Sequence, residues 1–160
     1  MKISITLTGA WTRESFYSYI SQRIQQRNVE KFGAVYLDLD GLKIINDEYG
    51  HLEGDFAIKT TVQLIKCLLR KTDIVARVGG DEFVIITACE SKEDLYKMIG
   101  RIEAGLIQYN SESGKGYKLE CSYGADIYSD NYNDVEQFMY HVDQLMYSNK
   151  KEKTLDQNLC

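Results

Sequence analysis

The sequence predicts an α+β fold in which helices surround a central, mainly antiparallel β-sheet of the ferredoxin-like type. Apolar runs typical of strands alternate along the chain with segments whose apolar residues recur at helical spacing. Two of the strand-like runs follow each other directly across a short turn that contains two glycines, which predicts one hairpin. Alternating strands and helices, interrupted by one hairpin, are typical of this fold, and we expect the helices mainly on one face of the sheet.

The first half of the chain is predicted to contain two helices with a buried strand between them. Apolar residues at helical spacing predict a first helix from about Thr12 to Asn28 and a longer one that closes near Arg70. Between these helices, the apolar run at 34–37 predicts a buried strand with acids at its C-terminal end. The helical patterns are carried by Phe16, Ile20 and Ile24, and by Ile58, Val62, Ile65 and Leu69.

The second half of the chain begins with the hairpin and ends with a helix. Residues 74–78 and 82–87 are predicted to form the two strands of the hairpin. Ser91 and Asp94 resemble a capping pair at the start of a helix. Alternation of apolar and polar residues over 117–127 predicts a half-exposed strand. The apolar stripes of the two helices in this half consist of Leu95, Ile99, Ile102 and Leu106, and of Val135, Phe138, Val142 and Leu145.

Composition and charge argue against several classes of function. The net charge of -5 and the pI of about 5.1 argue against nonspecific binding to nucleic acid or to an anionic membrane. Neither a membrane-spanning run nor a signal peptide is evident, so we predict a soluble, cytoplasmic protein without direct membrane contact. The four cysteines lack the spacing of a zinc site or a disulfide framework and are expected to be reduced: Cys67, Cys89, Cys121 and Cys160.

Acidic side chains are predicted to converge where the buried strand meets the hairpin. Asp38 ends the strand, and Gly79-Gly80-Asp81-Glu82 forms the turn. If the strand and the hairpin lie side by side, their carboxylates form a site suited to Mg²⁺, which commonly takes its remaining ligands from water and phosphates. Such a site serves phosphoryl or nucleotidyl transfer. The alternative is a plain glycine turn beside solvated carboxylates.

A polar stretch follows the strand and offers a second kind of binding group. Asn46 and Asp55 lie in this stretch, before the long helix. These residues are able to cap helices, but an amide and a carboxylate also suit the hydrogen-bonding edge of a guanine base. The residues themselves leave both interpretations open.

Taken together, these motifs resemble a known family. The stretch DLDGLKIINDEYGHLEGD, followed by RVGGDEF, is similar to the GGDEF family of diguanylate cyclases, and the similarity extends from LTG at 7–9 to DQLMYSNK at 143–150. The resemblance implies a fold like that of nucleotide cyclases and polymerase palm domains. It also implies condensation of two GTP molecules into cyclic di-GMP by a homodimer, with Mg²⁺ or Mn²⁺. We expect one domain over 1–160, with a core at about 7–150 and a flexible tail over 151–160.

The resemblance assigns metal binding to the acidic cluster. Asp38 and Asp81 would hold the metal ions, with help from the main-chain carbonyl of Leu39. Glu82 would be a further metal ligand or would assist the attacking 3′-hydroxyl group. The same three acids, Asp38, Asp81 and Glu82, are therefore the expected catalytic residues.

The resemblance also assigns residues to the substrate and to an inhibitory site. The expected substrate contacts are guanine recognition by Asn46 and Asp55, close approach of the triphosphate to Gly79 and Gly80, and phosphate binding by Lys43 and Lys150. Arg70 and Asp73 form an RxxD motif, where family members bind cyclic di-GMP as an inhibitor. Alternatively, Arg70 complements the helix dipole and pairs with Asp73 at the surface.

The sequence departs from the family pattern at three places. Ile5 and Thr12-Arg13 replace an acid and an NR pair, which is expected to weaken the link between the N-terminus and the hairpin. Gly41-Leu42 occupies the site of a phenylalanine-containing pair, so the lid over the nucleotide is expected to be looser. Lys153-Thr154-Leu155 replaces GRN, and Lys151 or Lys153 would then substitute for the missing arginine.

Three functions are therefore considered. The leading hypothesis is a Mg²⁺-dependent diguanylate cyclase, because the metal and guanine residues are present. The first alternative is a catalytically weak domain that binds GTP or cyclic di-GMP and signals by contact. The second is a related cyclase with another cyclic dinucleotide product, which the acid at Asp55 argues against. The sequence identifies neither a sensor domain nor a partner protein.

Overall fold

The computed structural model describes residues 4–26 and 30–159, which form a five-stranded sheet flanked by five helices. The strands are β1 Trp11–Thr12, β2 Phe32–Leu39, β3 Ile74–Arg77, β4 Glu82–Ala88 and β5 Cys121–Ile127. Their order in the sheet is β1-β3-β4-β2-β5. All neighbouring pairs are antiparallel except β1 with β3. The predicted α+β fold with a mainly antiparallel sheet is confirmed.

The helices agree with the predicted ones in number and order except for one addition. Their bounds are α1 Arg13–Gln25, α2 Leu42–Tyr49, α3 His51–Leu68, α4 Lys92–Glu112 and α5 Val135–Leu159. The predicted end of the first helix at Asn28 lies outside the described residues, as does Cys160. Residues 151–159, part of the tail expected to be flexible, are helical and form the last turns of α5. No described helix is both long and apolar enough to cross a membrane.

The polar stretch after β2 is helical, which the sequence pattern did not predict. It forms α2 and the first turns of α3. Gly41 caps α2 at a φ of 70°, and Gly50 joins the two helices at a φ of 91°. These positive φ values favour glycine. Only Ile45 of α2 is buried, and therefore the segment has too little apolar periodicity to be recognised as a helix.

Helices cover both faces of the sheet, so the expectation that they lie mainly on one face was wrong. On the α3/α4 face, Val35 and Leu37 of β2 pack in the core with residues of those two helices. On the α1/α5 face, Ala34 and Tyr36 pack with residues of α1 and α5. Every residue of β2 is buried. A strand that is apolar on both faces needs a layer of helices on each.

The strand β5 is also more buried than its alternating pattern predicted. Its first five residues are all buried, including Ser122 and Gly124 on the α1/α5 face. A Cβ atom at Gly124 would lie 2.3 Å from both the Val142 carbonyl oxygen and the Met146 nitrogen. The main chains of β5 and α5 therefore approach so closely that only glycine fits between them, and the predicted half-exposed strand is corrected.

Candidate active site

The pairing of β2 with β4 brings the acidic strand end and the acidic turn together. Asp38 lies opposite Glu82 in the register of the two strands. The main-chain nitrogen of Leu39 donates a hydrogen bond to the carbonyl oxygen of Asp81 at 3.0 Å. The predicted juxtaposition of these residues is therefore present in the structure. Their chemical roles stay predictions.

Asp38 is a buried carboxylate with one oxygen that lacks a partner. It is only 6% exposed, and its Oδ2 accepts a hydrogen bond from Lys150 Nζ at 3.0 Å. Its Oδ1 is buried and has no hydrogen-bond partner among the residues that the structure describes. Burial raises the pKa of the Asp38 carboxyl to about 7, since Lys150 offsets only part of the desolvation and Asp81 adds negative charge. Such a carboxylate is suited to receive a cation.

The carboxylate of Glu82 lies between a phenol and a glycine. Tyr36 Oη donates a hydrogen bond to Glu82 Oε2 at 3.4 Å. Burial, followed by the charge of Glu82, raises the pKa of the Tyr36 phenol, so the phenol remains a donor at neutral pH. A Cβ atom at Gly79 would lie 2.5 Å from the same oxygen. Gly79 thus leaves room for the Glu82 side chain.

The turn does not need glycine for its backbone angles. Neither Gly79 nor Gly80 has a positive φ, so the usual hairpin explanation for paired glycines does not hold here. Arg77 instead braces the turn from inside, because its guanidinium donates hydrogen bonds to the carbonyl oxygens of Gly79 and Gly80 at 2.6 to 3.2 Å. The positive charge next to this turn is therefore the Arg77 guanidinium, which contacts main-chain carbonyl oxygens.

The N-terminal segment is linked to the hairpin by an arginine and a short strand. Arg13 Nη1 donates a hydrogen bond to the Val78 carbonyl oxygen at 3.2 Å, next to the turn. Trp11 and Thr12 pair in parallel with β3, the first strand of the hairpin. The arginine and the short strand together supply this link.

The two residues assigned to guanine lie close together on α2 and α3. Asn46 packs against Gly54, where a Cβ atom would lie only 1.8 Å from Asn46 Oδ1. Asp55 follows Gly54 directly and is exposed at the surface. Gly54 therefore allows the Asn46 amide to lie beside the turn of α3 that carries Asp55. Lys43, assigned to phosphate, is exposed on the first turn of α2.

The two lysines considered as substitutes for the missing arginine have other contacts. Lys153 Nζ donates a hydrogen bond to Asp40 Oδ2 at 3.4 Å and another to the Cys121 carbonyl oxygen. Lys151 Nζ lies 4.5 Å from the centre of the Tyr147 ring. Lys153 is therefore engaged by two oxygens, whereas Lys151 contacts only an aromatic ring, and the substitution of either lysine for the arginine stays a prediction.

In the RxxD motif, Asp73 has a structural role, and the side chain of Arg70 is exposed. Asp73 accepts hydrogen bonds from the Arg70 main-chain nitrogen at 2.8 Å and from Thr87 Oγ1 at 2.6 Å. The Arg70 guanidinium makes no hydrogen bond or ion pair within the described part of the chain. The expected Arg70–Asp73 side-chain pair is therefore not formed.

The described residues do not form a complete metal site by themselves. Within residues 4–26 and 30–159, no three His, Cys, Asp or Glu side chains form a group able to hold a metal ion unaided. The free Oδ1 of Asp38 beside Asp81 nevertheless provides one or two carboxylates, which is the usual protein share of a Mg²⁺ site completed by water and phosphates. The donor set therefore fits a hard cation bound together with a nucleotide.

Sequence reasoning missed two residues of this site. Tyr36 contacts Glu82, and Arg77 holds the turn. Tyr36 precedes Asp38 by two residues, so both project from the same face of β2. The two-residue spacing of Tyr36 and Asp38 is visible in the sequence, but a tyrosine in a strand is more often a packing residue. The sequence also did not specify the strand register that places Tyr36 beside Glu82.

The buried Asp38 carboxyl predicts a pH-dependent contribution to stability. Because its pKa is raised from near 4 to about 7, this group stabilises the fold most below about pH 4. The contribution is lost as the pH rises from about 4 to about 7. Asp38→Asn, whose amide does not titrate, should therefore gain thermal stability relative to the parent over that interval. Melting temperatures with a chelator present test this, and a pH-independent difference would contradict it.

Comparisons with known proteins give a consistent result. A family model described as diguanylate cyclase, GGDEF domain, matches residues 6–155. The probable diguanylate cyclase DgcJ of Escherichia coli K12 is 33% identical over 154 residues, which cover 94% of this chain and 30% of that protein. The cyclic di-GMP phosphodiesterase PdeR of the same strain is 31% identical over 154 residues, which cover 91% of this chain and 22% of PdeR.

A solved structure is similar over nearly the whole chain. The GGDEF domain of YfiN (TpbB) from Pseudomonas aeruginosa superposes with a TM-score of 0.81 at 27% sequence identity, covering 92% of this chain and 88% of that one. In contrast, this chain spans less than a third of the length of DgcJ or PdeR. The similarity therefore concerns one domain of those longer relatives.

Proposed function

Because the chain belongs to the GGDEF domain family, we propose that it is a diguanylate cyclase domain that condenses two GTP molecules into cyclic di-GMP. The observation that carries this proposal is the buried Asp38, which has one free oxygen and lies beside Asp81 and Glu82. Carboxylates at a strand end, next to a turn that contains two glycines, suit nucleotidyl transfer. We place this activity in the cytoplasm, where GTP is available.

In this proposal the acidic cluster and the main-chain carbonyl of Leu39 hold Mg²⁺ or Mn²⁺. The bound ion would neutralise charge on the phosphate oxygens and lower the pKa of the 3′-hydroxyl group. Asp38 and Asp81 would be the principal ligands, because the Asp81 carboxylate is close enough to act on the Asp38 carboxyl. Glu82 either completes this ligand set or accepts the proton of the hydroxyl group.

The remaining residues of the site position the substrate. Asn46 and Asp55 would read the guanine base, since a carboxylate accepts hydrogen bonds from N1–H and N2–H. Lys150, paired with Asp38 in this structure, supplies an ammonium group for a phosphate, and Lys43 supplies a second. Gly79 and Gly80 leave the turn without side chains, so the triphosphate is able to approach its main chain.

The product contains two nucleotides, so the 3′-hydroxyl oxygen of each GTP must attack the α-phosphorus of the other, which breaks the bond to the β-phosphate and releases pyrophosphate. One domain binds one GTP in this proposal, so catalysis requires two domains that face each other as a homodimer. The test is to incubate the purified chain with GTP and Mg²⁺ over a range of protein concentrations and to identify products by chromatography and mass spectrometry. Cyclic di-GMP should form at a rate that rises faster than linearly with protein concentration. Intact GTP at all concentrations would contradict the proposal.

A second candidate function is a catalytically weak domain that binds GTP or cyclic di-GMP as a signalling module. Two observations favour it. Thr154 stands where the family pattern has an arginine, and PdeR, similar over this domain, is named a phosphodiesterase. Calorimetry separates the two functions, because this candidate predicts nucleotide binding without turnover. A third function, synthesis of a different cyclic dinucleotide, would be revealed by the product mass.

The exposed Arg70 is proposed to bind cyclic di-GMP as an inhibitor. Its guanidinium is free to form a bidentate contact with a phosphate. Arg70→Ala should therefore raise the cyclic di-GMP concentration needed for half-inhibition by about tenfold or more and leave the uninhibited rate unchanged. Lys71→Ala removes a neighbouring exposed cation and serves as the control. Equal inhibition of the parent and the Arg70 variant would rule out this site.

A further inference from the structure

We propose that Tyr36 is a positioning residue that orients the Glu82 carboxylate toward the cation site. This inference rests on the proposed function, because it assigns Glu82 to the metal or to the attacking hydroxyl group. It adds to the site a residue outside the acidic cluster, Tyr36, whose phenol would determine the orientation of the Glu82 carboxylate. The inference rests on a hydrogen bond, a steric contact and a strand register.

The phenol itself is held firmly in place. Tyr36 is 8% exposed and packs within the core of the α1/α5 face, where α1 and α5 cover β2. It lies two residues before Asp38, so both side chains project from the same face of β2 toward α5. Its hydroxyl is consequently presented to the site from a rigid strand.

The Glu82 carboxylate is bounded on two sides by its neighbours. Tyr36 Oη donates to Oε2 at 3.4 Å, and the Gly79 Cα lies against the same oxygen, so closely that a Cβ there would come within 2.5 Å. Oε2 therefore occupies a defined position, and Oε1 is left for a cation or a hydroxyl group. Among the described residues, the phenol is the only side chain that donates a hydrogen bond to Glu82.

Loss of the phenol should release this carboxylate. Without a donor, Oε2 is held only by the contact with Gly79, and the Glu82 side chain gains rotamers that move its carboxylate out of this position. Hydrogen-bond partners of metal-binding carboxylates commonly change metal affinity or activity by about 10- to 100-fold when they are removed. The Tyr36 hydrogen bond is long, so an effect at the lower end of this range is expected.

The direct test is the binding of Mn²⁺ to the parent and to Tyr36→Phe. Free Mn²⁺ is followed by electron paramagnetic resonance with a GTP analogue whose α- and β-phosphates are bridged by a methylene group, so no turnover is needed. The variant keeps the aromatic ring and should raise the Kd of Mn²⁺ about tenfold. In the cyclase assay, kcat should fall about tenfold with the KM for GTP unchanged, since the residues assigned to guanine lie on α2 and α3 and not on β2.

Two further variants separate positioning from a general loss of structure. Tyr128→Phe removes the same atom from a tyrosine that stacks on Phe32 at the other end of β2, and it should leave Mn²⁺ binding unchanged. In a Glu82→Ala background, Tyr36→Phe should have no further effect on Mn²⁺ binding, because the carboxylate it orients is gone. This second comparison stays informative even when Tyr36→Phe lowers thermal stability, since both proteins are measured while folded.

Each outcome supports or overturns the inference. Weaker Mn²⁺ binding that depends on Glu82 supports it, even for a parent chain that makes no cyclic di-GMP, so failure of the proposed function is recognised separately. Unchanged Mn²⁺ affinity in Tyr36→Phe overturns it. An equal loss of affinity with and without Glu82 also overturns it, because the phenol would then act through overall packing.

Discussion

Asp81→Ala is expected to lower cyclic di-GMP formation by about a hundred- to a thousandfold while leaving the fold intact. Removing a group that stabilises developing charge in an active site commonly has an effect of this size. The fold should be retained because the contribution of Asp81 to the sheet is its main-chain carbonyl, which receives the Leu39 hydrogen bond and is unchanged by the substitution. Loss of a negative charge beside the buried Asp38 should also relieve repulsion.

The measurement combines initial rates with circular dichroism and thermal unfolding. Asp130→Ala serves as the matched control, because it removes an exposed acid after the far end of β5, and this variant should retain the parent rate. The melting temperature of Asp81→Ala should not fall below that of the parent. Turnover at the parent rate in Asp81→Ala would disprove the assignment of this residue to the metal site.

Gly124→Ala is expected to produce the largest loss of stability, about 3 kcal/mol in the free energy of unfolding. The new methyl group would lie 2.3 Å from the Val142 oxygen and the Met146 nitrogen. These atoms belong to the main chain of α5, so the clash cannot be relieved by a side-chain rotation. The whole helix would have to move away from β5, which would weaken packing on the α1/α5 face and displace Lys150 from Asp38.

Gly100→Ala is the matched control for this substitution. Gly100 lies on the exposed side of α4, and a Cβ built there would meet no atom within 4 Å apart from its chain neighbours and the nearby backbone of its own helix. Alanine is the better helix former, so this variant should be more stable than the parent by roughly 0.5 to 1 kcal/mol. Urea unfolding of both variants measures the two effects. A Gly124 variant as stable as the parent would show that β5 and α5 do not pack this closely.

The acidic part of the site was predictable because it combines two local signals. A buried apolar run that ends in an acid indicates where Asp38 leaves the sheet, and paired glycines between strands indicate where the Asp81-Glu82 turn lies. Joining these signals required only that the hairpin pair with the strand. The β2–β4 register places Asp38 opposite Glu82, as that argument needs.

Predictions failed where a residue's environment comes from a distant element. Turn geometry was one of two explanations for the glycine at 79, but its φ is not positive, and the Glu82 side chain occupies the space beside it. The strand at 117–127 was expected to be half exposed, but α5 covers its second face. Residues of α2 were not recognised as helical, because the segment buries only Ile45.

Local pattern was thus sufficient for strands β2 to β5, for the helices other than α2, and for the acids at the strand ends, since period, turn chemistry and polarity depend on neighbouring residues. Packing in three dimensions alone settled which side chains meet across the sheet. It placed the Tyr36 phenol on Glu82, Lys150 on Asp38 and Lys153 on Asp40. Each of these contacts depends on a strand register or on the position of α5, and such relations arise only when distant segments exclude water from the same core.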